Sequence, residues 1–188
     1  MAVSATSRRE SEKEAASQVQ DALARRLGPD YLIHIGKSIL YKIEVDAFGK
    51  VNPGSVESPT RGQYAFQTDV LIEKRGDPIP LVVIELKYGA FTSHDVITYS
   101  AKAARHKEVY PYLRYGFVVV GMEALSRKFL THNAGFDFAL ALPQVPAHEA
   151  DLVALVRRQL ASAECIVSLM CRDRTPAARH SNRPTRPS

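Results

Sequence analysis

The sequence contains no Trp, only two Cys, and no apolar run of the ~18 residues that a membrane-spanning helix needs. Cys165 and Cys171 lie near each other without the spacing of a metal site, so we predict that both are reduced and chemically inert. The N-terminal residues lack the apolar stretch of a signal peptide. These absences predict a cytoplasmic protein without disulfides and without a membrane partner.

Most of the positive charge lies at the C-terminus. The formal net charge is +5, and residues 172–188 supply four of those charges because they contain five Arg against one Asp. This segment also has three Pro and no apolar run, so we predict a disordered tail at 172–188 after a single domain at 1–171. The tail could contact phosphate groups in a salt-sensitive way, but we favour a role in solubility.

Residues 66–87 are the most informative stretch. Two runs rich in Val, Ile and Leu, at 66–73 and 80–87, flank a segment of turn composition at 74–78. This pattern predicts an antiparallel hairpin centred near Asp77. With that centre, Asp69 faces Glu85 and Gln67 faces Lys87.

The second strand of this hairpin is apolar on both faces. Because such strands are usually buried on both sides, Glu85 and Lys87 are predicted to lie where water is scarce. Burying a charge costs several kcal/mol unless the charge is paired or binds a metal. Two carboxylates and an ammonium at one point suit Mg²⁺, with a Lys beside the attacking water. The alternative is that Glu85 and Lys87 form a surface pair at an exposed strand end, with Asp69 as a surface acid.

At these positions the sequence resembles the PD-(D/E)xK nuclease superfamily, which has the restriction-endonuclease-like fold. The family pattern is an Asp on one strand and Glu-x-Lys on the next, here Thr68-Asp69 and Glu85-Leu86-Lys87, with Thr68 where the Pro would stand. The resemblance implies a Mg²⁺-dependent nuclease in which Mn²⁺ can replace Mg²⁺. The type that it favours most is a DNA endonuclease that acts in restriction or repair. It implies that Asp69, Glu85 and the Leu86 carbonyl hold metal, while Lys87 positions and activates water.

Many members of this superfamily carry a Glu on the first helix, near the metal. The residues available here are Glu12 and Glu14, for which we favour surface solvation. Two other functions stay open. A nucleic-acid-binding or assembly subunit could retain the fold without turnover, although three converging charges argue against it. Another Mg²⁺-dependent phosphoryl-transfer enzyme has little support, since the sequence contains no Gly-rich nucleotide-binding loop.

Two segments are predicted to contact nucleic acid. The loop at 49–63 is long, leads into the Asp69 strand and offers Arg61 as a phosphate contact. A helix at 95–109, capped by Ser93, is predicted to point a basic stripe outward and its apolar residues inward. Lys102 and Arg105 are the phosphate contacts on that stripe, which also holds Asp95, Thr98 and His106; the inward residues are Val96, Ile97, Ala103 and Ala104. His94 is a weaker candidate.

The remaining segments predict an α/β fold, a restriction-endonuclease-like mixed β-sheet flanked by helices in the order αβββαβαβα. They are a helix at 8–27, strands within 31–48, the hairpin, the 95–109 helix, a strand at 116–120, a helix at 123–132, a strand at 136–142 and a helix at 149–170. Because a strand, helix and strand follow one another, the 116–120 strand should run parallel to the Glu85 strand. Tyr110, Tyr112 and Tyr115 are predicted to be packing groups.

One metal site per chain attacks one strand at a time. Concerted cleavage of both strands of a duplex therefore needs a second copy or a partner subunit about a two-fold axis. We predict a homodimer that pairs through the C-terminal helix face bearing Leu152, Val156 and Leu160.

Overall fold

The computed structural model describes residues 5–55, 59, 61–77 and 79–172. The predicted disordered tail lies outside the described residues from 173 onward. Within the described part, the helices are α1 (Ala5–Leu27), α2 (Ser93–Val109), α3 (Arg127–His132) and α4 (Glu149–Arg172). The strands are β1 (Tyr31–Ile35), β2 (Ser38–Leu40), β3 (Glu44–Val45), β4 (Val51–Asn52), β5 (Ala65–Gln67), β6 (Val70–Lys74), β7 (Pro80–Tyr88), β8 (Arg114–Val120) and β9 (Phe138–Leu142). Within the described residues, none of the helices combines the length and the apolar character of a membrane span.

A mixed five-stranded sheet in the order β1-β6-β7-β8-β9 forms the centre of the molecule. Strands β1, β6 and β7 are antiparallel neighbours, whereas β7, β8 and β9 run parallel. The α/β class and the parallel pairing of β7 with β8 are therefore confirmed. The four short strands β2 to β5 lie outside this sheet and are not part of the predicted order αβββαβαβα.

The hairpin register agrees with the prediction where the two strands pair. Val70 lies opposite Ile84 and Ile72 opposite Val82, before an irregularity shifts the register between Ile72 and Glu73. Side chains of β7 alternate between two cores because successive strand residues face opposite sides. Ile84 and Leu86 pack with α1 and α4, while Val83 packs with α2 and α3.

The first strand of the hairpin is shorter than predicted. It is interrupted at Thr68, whose N–H and hydroxyl both donate to the Lys37 carbonyl, at 3.0 and 2.8 Å. These hydrogen bonds pull the chain out of the main sheet. Gln67 therefore pairs with Ser38 in a separate two-stranded sheet and does not face Lys87.

Helix α2 is oriented differently from the prediction. Its N-cap is Thr92 rather than Ser93, and the Thr92 and Asp95 side chains form a reciprocal capping box. His106 and Ser100 are buried, whereas Ile97 is 50% exposed. The polar pair is inside because it satisfies backbone groups: His106 Nδ1 lies 2.8 Å from the Leu40 carbonyl, and Ser100 Oγ accepts from two N–H groups.

The predicted dimer face is wrong. Leu152, Val156 and Leu160 are at most 2% exposed, because this side of α4 packs on the main sheet and α1 within one core. These side chains stabilise the monomer, so they are not available to a second copy. The other helix boundaries agree to within a few residues, with α3 beginning at Arg127 after an N-cap at Ser126.

Acid should destabilise the protein through His106. Burial lowers the pKa of His106 to about 4, from an ordinary value of 6.5, and its Nε2 has no hydrogen-bond partner among the described residues. The unfolded chain therefore binds the proton more readily. The resulting loss of stability is absent above about pH 7, grows as the pH falls, and is complete below about pH 4.

At pH 5 this loss amounts to about 2 kcal/mol. Urea unfolding of the wild type and of His106→Asn at pH 7.5 and pH 5 measures it, since Asn can still donate to a backbone carbonyl but does not titrate. We expect the variant to lose less stability than the wild type between the two pH values. Equal losses would show that His106 remains neutral in the unfolded chain or is charged in the folded one.

Candidate active site

The predicted acid pair lies where β6 begins and β7 ends. Asp69 directly precedes β6, and its Oδ2 accepts a hydrogen bond from the Leu86 N–H at 2.8 Å. Glu85 is 1% exposed, so its interpretation as a surface residue does not hold. The two carboxyl groups lie close enough for the charge of Glu85 to raise the pKa of Asp69. The two-residue break between β5 and β6 thus leaves Asp69 beside the buried end of β7.

Two further side chains hold Glu85. Its Oε1 accepts hydrogen bonds from Lys102 Nζ at 2.8 Å and from the Tyr115 hydroxyl at 2.5 Å. The sequence predicts that Lys102 faces solvent as a phosphate contact, but its side chain is only 17% exposed and forms an ion pair inside the site. Tyr115 packs in the core as predicted and in addition serves as a donor to the carboxylate. These two hydrogen bonds fix the position of the Glu85 carboxylate.

Burial and the charge of Glu85 raise the pKa of Asp69 to about 7, against the opposing effect of the Leu86 N–H. Two carboxylates at close range do not both ionise easily, so one of them tends to keep a proton. A divalent cation between them would remove that penalty. The acid pair is therefore chemically suited to a hard cation that prefers oxygen ligands.

Lys87 lies on the same face of β7 as Glu85, two residues closer to the end of the strand. Its Nζ is 3.4 Å from Glu12 Oε1 and 5.1 Å from the centroid of the Tyr99 ring. Burial acts to lower the pKa of Lys87, but Tyr99 and Glu12 outweigh it and the pKa is raised. The side chain is thus an ammonium, which can orient water or stabilise hydroxide and does not act as a proton acceptor.

Tyr99, which the sequence pattern does not predict here, and Glu12 belong to the site. The surface role favoured for Glu12 is wrong, because its side chain is only 25% exposed and pairs with Lys87. The Tyr99 ring lies between two ammonium groups, because Lys102 Nζ is also 5.1 Å from its centroid. Glu12 reaches the site from α1 and lines a cavity of ≈ 300 Å³ together with Asp69 and Leu86. Residues 12 and 87 are far apart in sequence, so only the packing of α1 on the sheet brings them together. Glu14 is exposed, as expected.

The remaining predicted contacts lie outside this cluster. Arg61 is exposed and donates to Gln67 Oε1 at 3.2 Å, just before the Asp69 segment. Arg105 is exposed on α2, and His94 is exposed with Thr98 at 3.4 Å. All three are accessible to a ligand. None of them contacts the acid pair.

The oxygen ligands for a metal are few. Among the described residues, no group of three or more His, Cys, Asp or Glu side chains could hold a metal ion together. Two adjacent carboxylates do fit Mg²⁺, which commonly binds one or two carboxylates and completes its shell with water and phosphate oxygens. Asp69 and Glu85 are the residues that would hold it.

Comparisons of this chain with protein-family models, with curated proteins and with solved structures found no significant match. The site is therefore interpreted from its own geometry.

Proposed function

We propose that this protein is a Mg²⁺-dependent nuclease that hydrolyses phosphodiester bonds, with DNA as its substrate. The observation that supports this most is the partly buried acid pair Asp69 and Glu85, with Lys102 bonded to Glu85 and Lys87 against the same Tyr99 ring as Lys102. A domain without a ligand at this point would gain stability from apolar residues there. The mixed sheet with helices on both faces is compatible with the restriction-endonuclease-like fold that the sequence resembles.

In this proposal each side chain has a separate task. Asp69 and Glu85, with the Leu86 carbonyl, would hold the metal, and Lys102 and Tyr115 fix the Glu85 carboxylate through its Oε1. When bound, the metal lowers the pKa of a water and neutralises charge on the phosphate. The Lys87 ammonium orients the attacking water, and Glu12 and Tyr99 hold that ammonium in place.

A nucleic-acid-binding subunit without turnover is the second candidate. It is favoured by the Lys102–Glu85 ion pair, which already compensates the buried carboxylate with a protein cation. Lys87 distinguishes the two functions. In a nuclease the Lys87 ammonium would orient the attacking water, so its loss would stop turnover, whereas in a subunit that only binds it would contact a phosphate, so its loss would weaken binding.

Incubation with supercoiled plasmid tests the proposal. We expect Mg²⁺ or Mn²⁺ to support the appearance of nicked or linear DNA, and EDTA to abolish it. Linear product without a nicked intermediate would indicate paired protomers, and light scattering at micromolar concentration then gives the mass. An intact plasmid at every metal concentration, beside unchanged binding of the same DNA, would favour the second candidate.

A further inference from the structure

A two-stranded arm projects from the candidate site. We define the arm as residues 38–52 and 61–67. Strands β2 and β5 form its base, the backbone bond from Tyr41 N–H to the Tyr64 carbonyl (2.9 Å) continues it, and strands β3 and β4 end it. The base touches the site, since Lys102 donates to the Gln67 carbonyl at 3.3 Å. Gln67 also lines the ≈ 300 Å³ cavity beside Asp69, so a ligand in that cavity lies next to the base of the arm.

The tip of the arm presents Phe48 to solvent. Phe48 is 96% exposed, and the turn that carries it is held by the Asp46 carboxylate, which accepts from the N–H groups of Phe48 and Lys50 at 2.9 and 3.0 Å. Gly49 completes the turn at a φ of 80°, where glycine is favoured. Because the hydrogen bonds of this turn are satisfied, the turn holds the Phe48 ring in position without a ligand.

The charges along the arm favour an anionic ligand with flat apolar groups. The two carboxylates are engaged within the arm: Glu44 pairs with Lys42 and accepts from Tyr64, and Asp46 holds the turn. In the described part of the chain, no ion pair involves Lys50 or Arg61. Lys50 thus places a cation two residues from the exposed Phe48 ring, and Arg61 places one at the base of the arm beside Gln67. Cations spaced along a ribbon with an exposed ring match nucleic acid, in which phosphates flank the bases.

The dimensions of the arm also agree with a duplex. The backbone from Ser38 to Phe48 spans at most ~35 Å, which corresponds to about ten base pairs of DNA. Two-stranded ribbons can enter the minor groove as well as the major groove, and in the minor groove apolar side chains such as Phe insert between base steps. We propose that the arm follows the DNA from the cleavage site and stacks Phe48 against its bases. This inference rests on the proposed function.

The absence of Trp provides a direct test. Phe48→Trp creates a single fluorophore at the tip, and Leu169→Trp is the matched control, because Leu169 is exposed on α4 on the opposite side of the sheet. Both are made in a Lys87→Ala background with Mg²⁺ and titrated with a 24-base-pair duplex. We expect quenching at position 48 alone. Phe48→Ala should weaken duplex affinity, measured by anisotropy, about tenfold.

The other outcomes separate this inference from the proposed function. Duplex binding without quenching at position 48, and without an effect of Phe48→Ala, overturns the arm's role and leaves the nuclease intact. The Phe48→Trp variant is also measured without DNA at rising protein concentration. A shift of its emission to shorter wavelength would show that a second copy of the chain covers the tip, which overturns the proposed DNA contact. Failure of the wild type to bind or cleave any DNA overturns both.

Discussion

Replacing Lys87 with Ala should lower the cleavage rate at saturating DNA by on the order of 100-fold or more, about 3 kcal/mol of activation free energy. The reason is the position of its ammonium, which Glu12 and the Tyr99 ring hold at the edge of the acid pair. The ammonium does not itself contact Asp69 or Glu85 by a hydrogen bond. Metal affinity, measured by calorimetry, should therefore change only a few fold.

Two control variants sharpen this prediction. Lys74→Ala removes a partly exposed Lys that pairs with Glu164 away from the site, and it should leave the cleavage rate unchanged. Lys87→Arg keeps the positive charge, so it should recover part of the rate if charge matters more than the exact hydrogen-bond geometry. Wild-type turnover in Lys87→Ala, at unchanged folding stability, would remove this residue from the mechanism.

The acid pair could be predicted from sequence because it depends on short-range features. The turn composition of 74–78 fixes the centre of the hairpin, and the register follows from it for Val70 to Ile72. Asp69 then comes next to the Glu85 end of β7 even though β6 begins one residue later. The apolar residues on both faces of β7 predict the burial that makes Glu85 unusual.

The surroundings of the pair could not be predicted in the same way, because they depend on how helices are rotated. Periodicity predicts Ile97 inside and His106 outside, but the Leu40 carbonyl needs a donor at the base of the arm and His106 supplies it. That rotation directs Lys102 toward Glu85 rather than toward solvent. Glu12 likewise reaches Lys87 only because α1 docks on the main sheet.

Replacing Asp69 with Asn should abolish metal binding and yet stabilise the metal-free protein. One of two carboxylate ligands is lost, so calorimetry should detect no Mg²⁺ binding. At the same time the Asn carbonyl can still accept from the Leu86 N–H, and its amide can donate to Glu85. A repulsion between two acids is thereby replaced by a hydrogen bond.

The sign of the stability change follows from the pKa of Asp69, which burial and Glu85 raise from 3.8 to about 7. Because the unfolded chain releases this proton more easily, ionised Asp69 costs stability in the folded protein. The cost is absent below about pH 4, grows as the pH rises, and is complete above about pH 7, where it amounts to about 4 kcal/mol.

Urea unfolding in EDTA measures this cost. We expect Asp69→Asn to be more stable than the wild type at pH 8 and to match it near pH 4, so the two curves of stability against pH converge on the acid side. Asp77→Asn is the control, since Asp77 lies in the turn at the other end of the hairpin and should not change the pH dependence. A variant that is less stable than the wild type at pH 8 would show that the carboxylate of Asp69 stabilises the fold. In that case the contribution of Asp69 to stability would be enough to explain its presence beside Glu85. The main argument for a metal at the acid pair would then be lost.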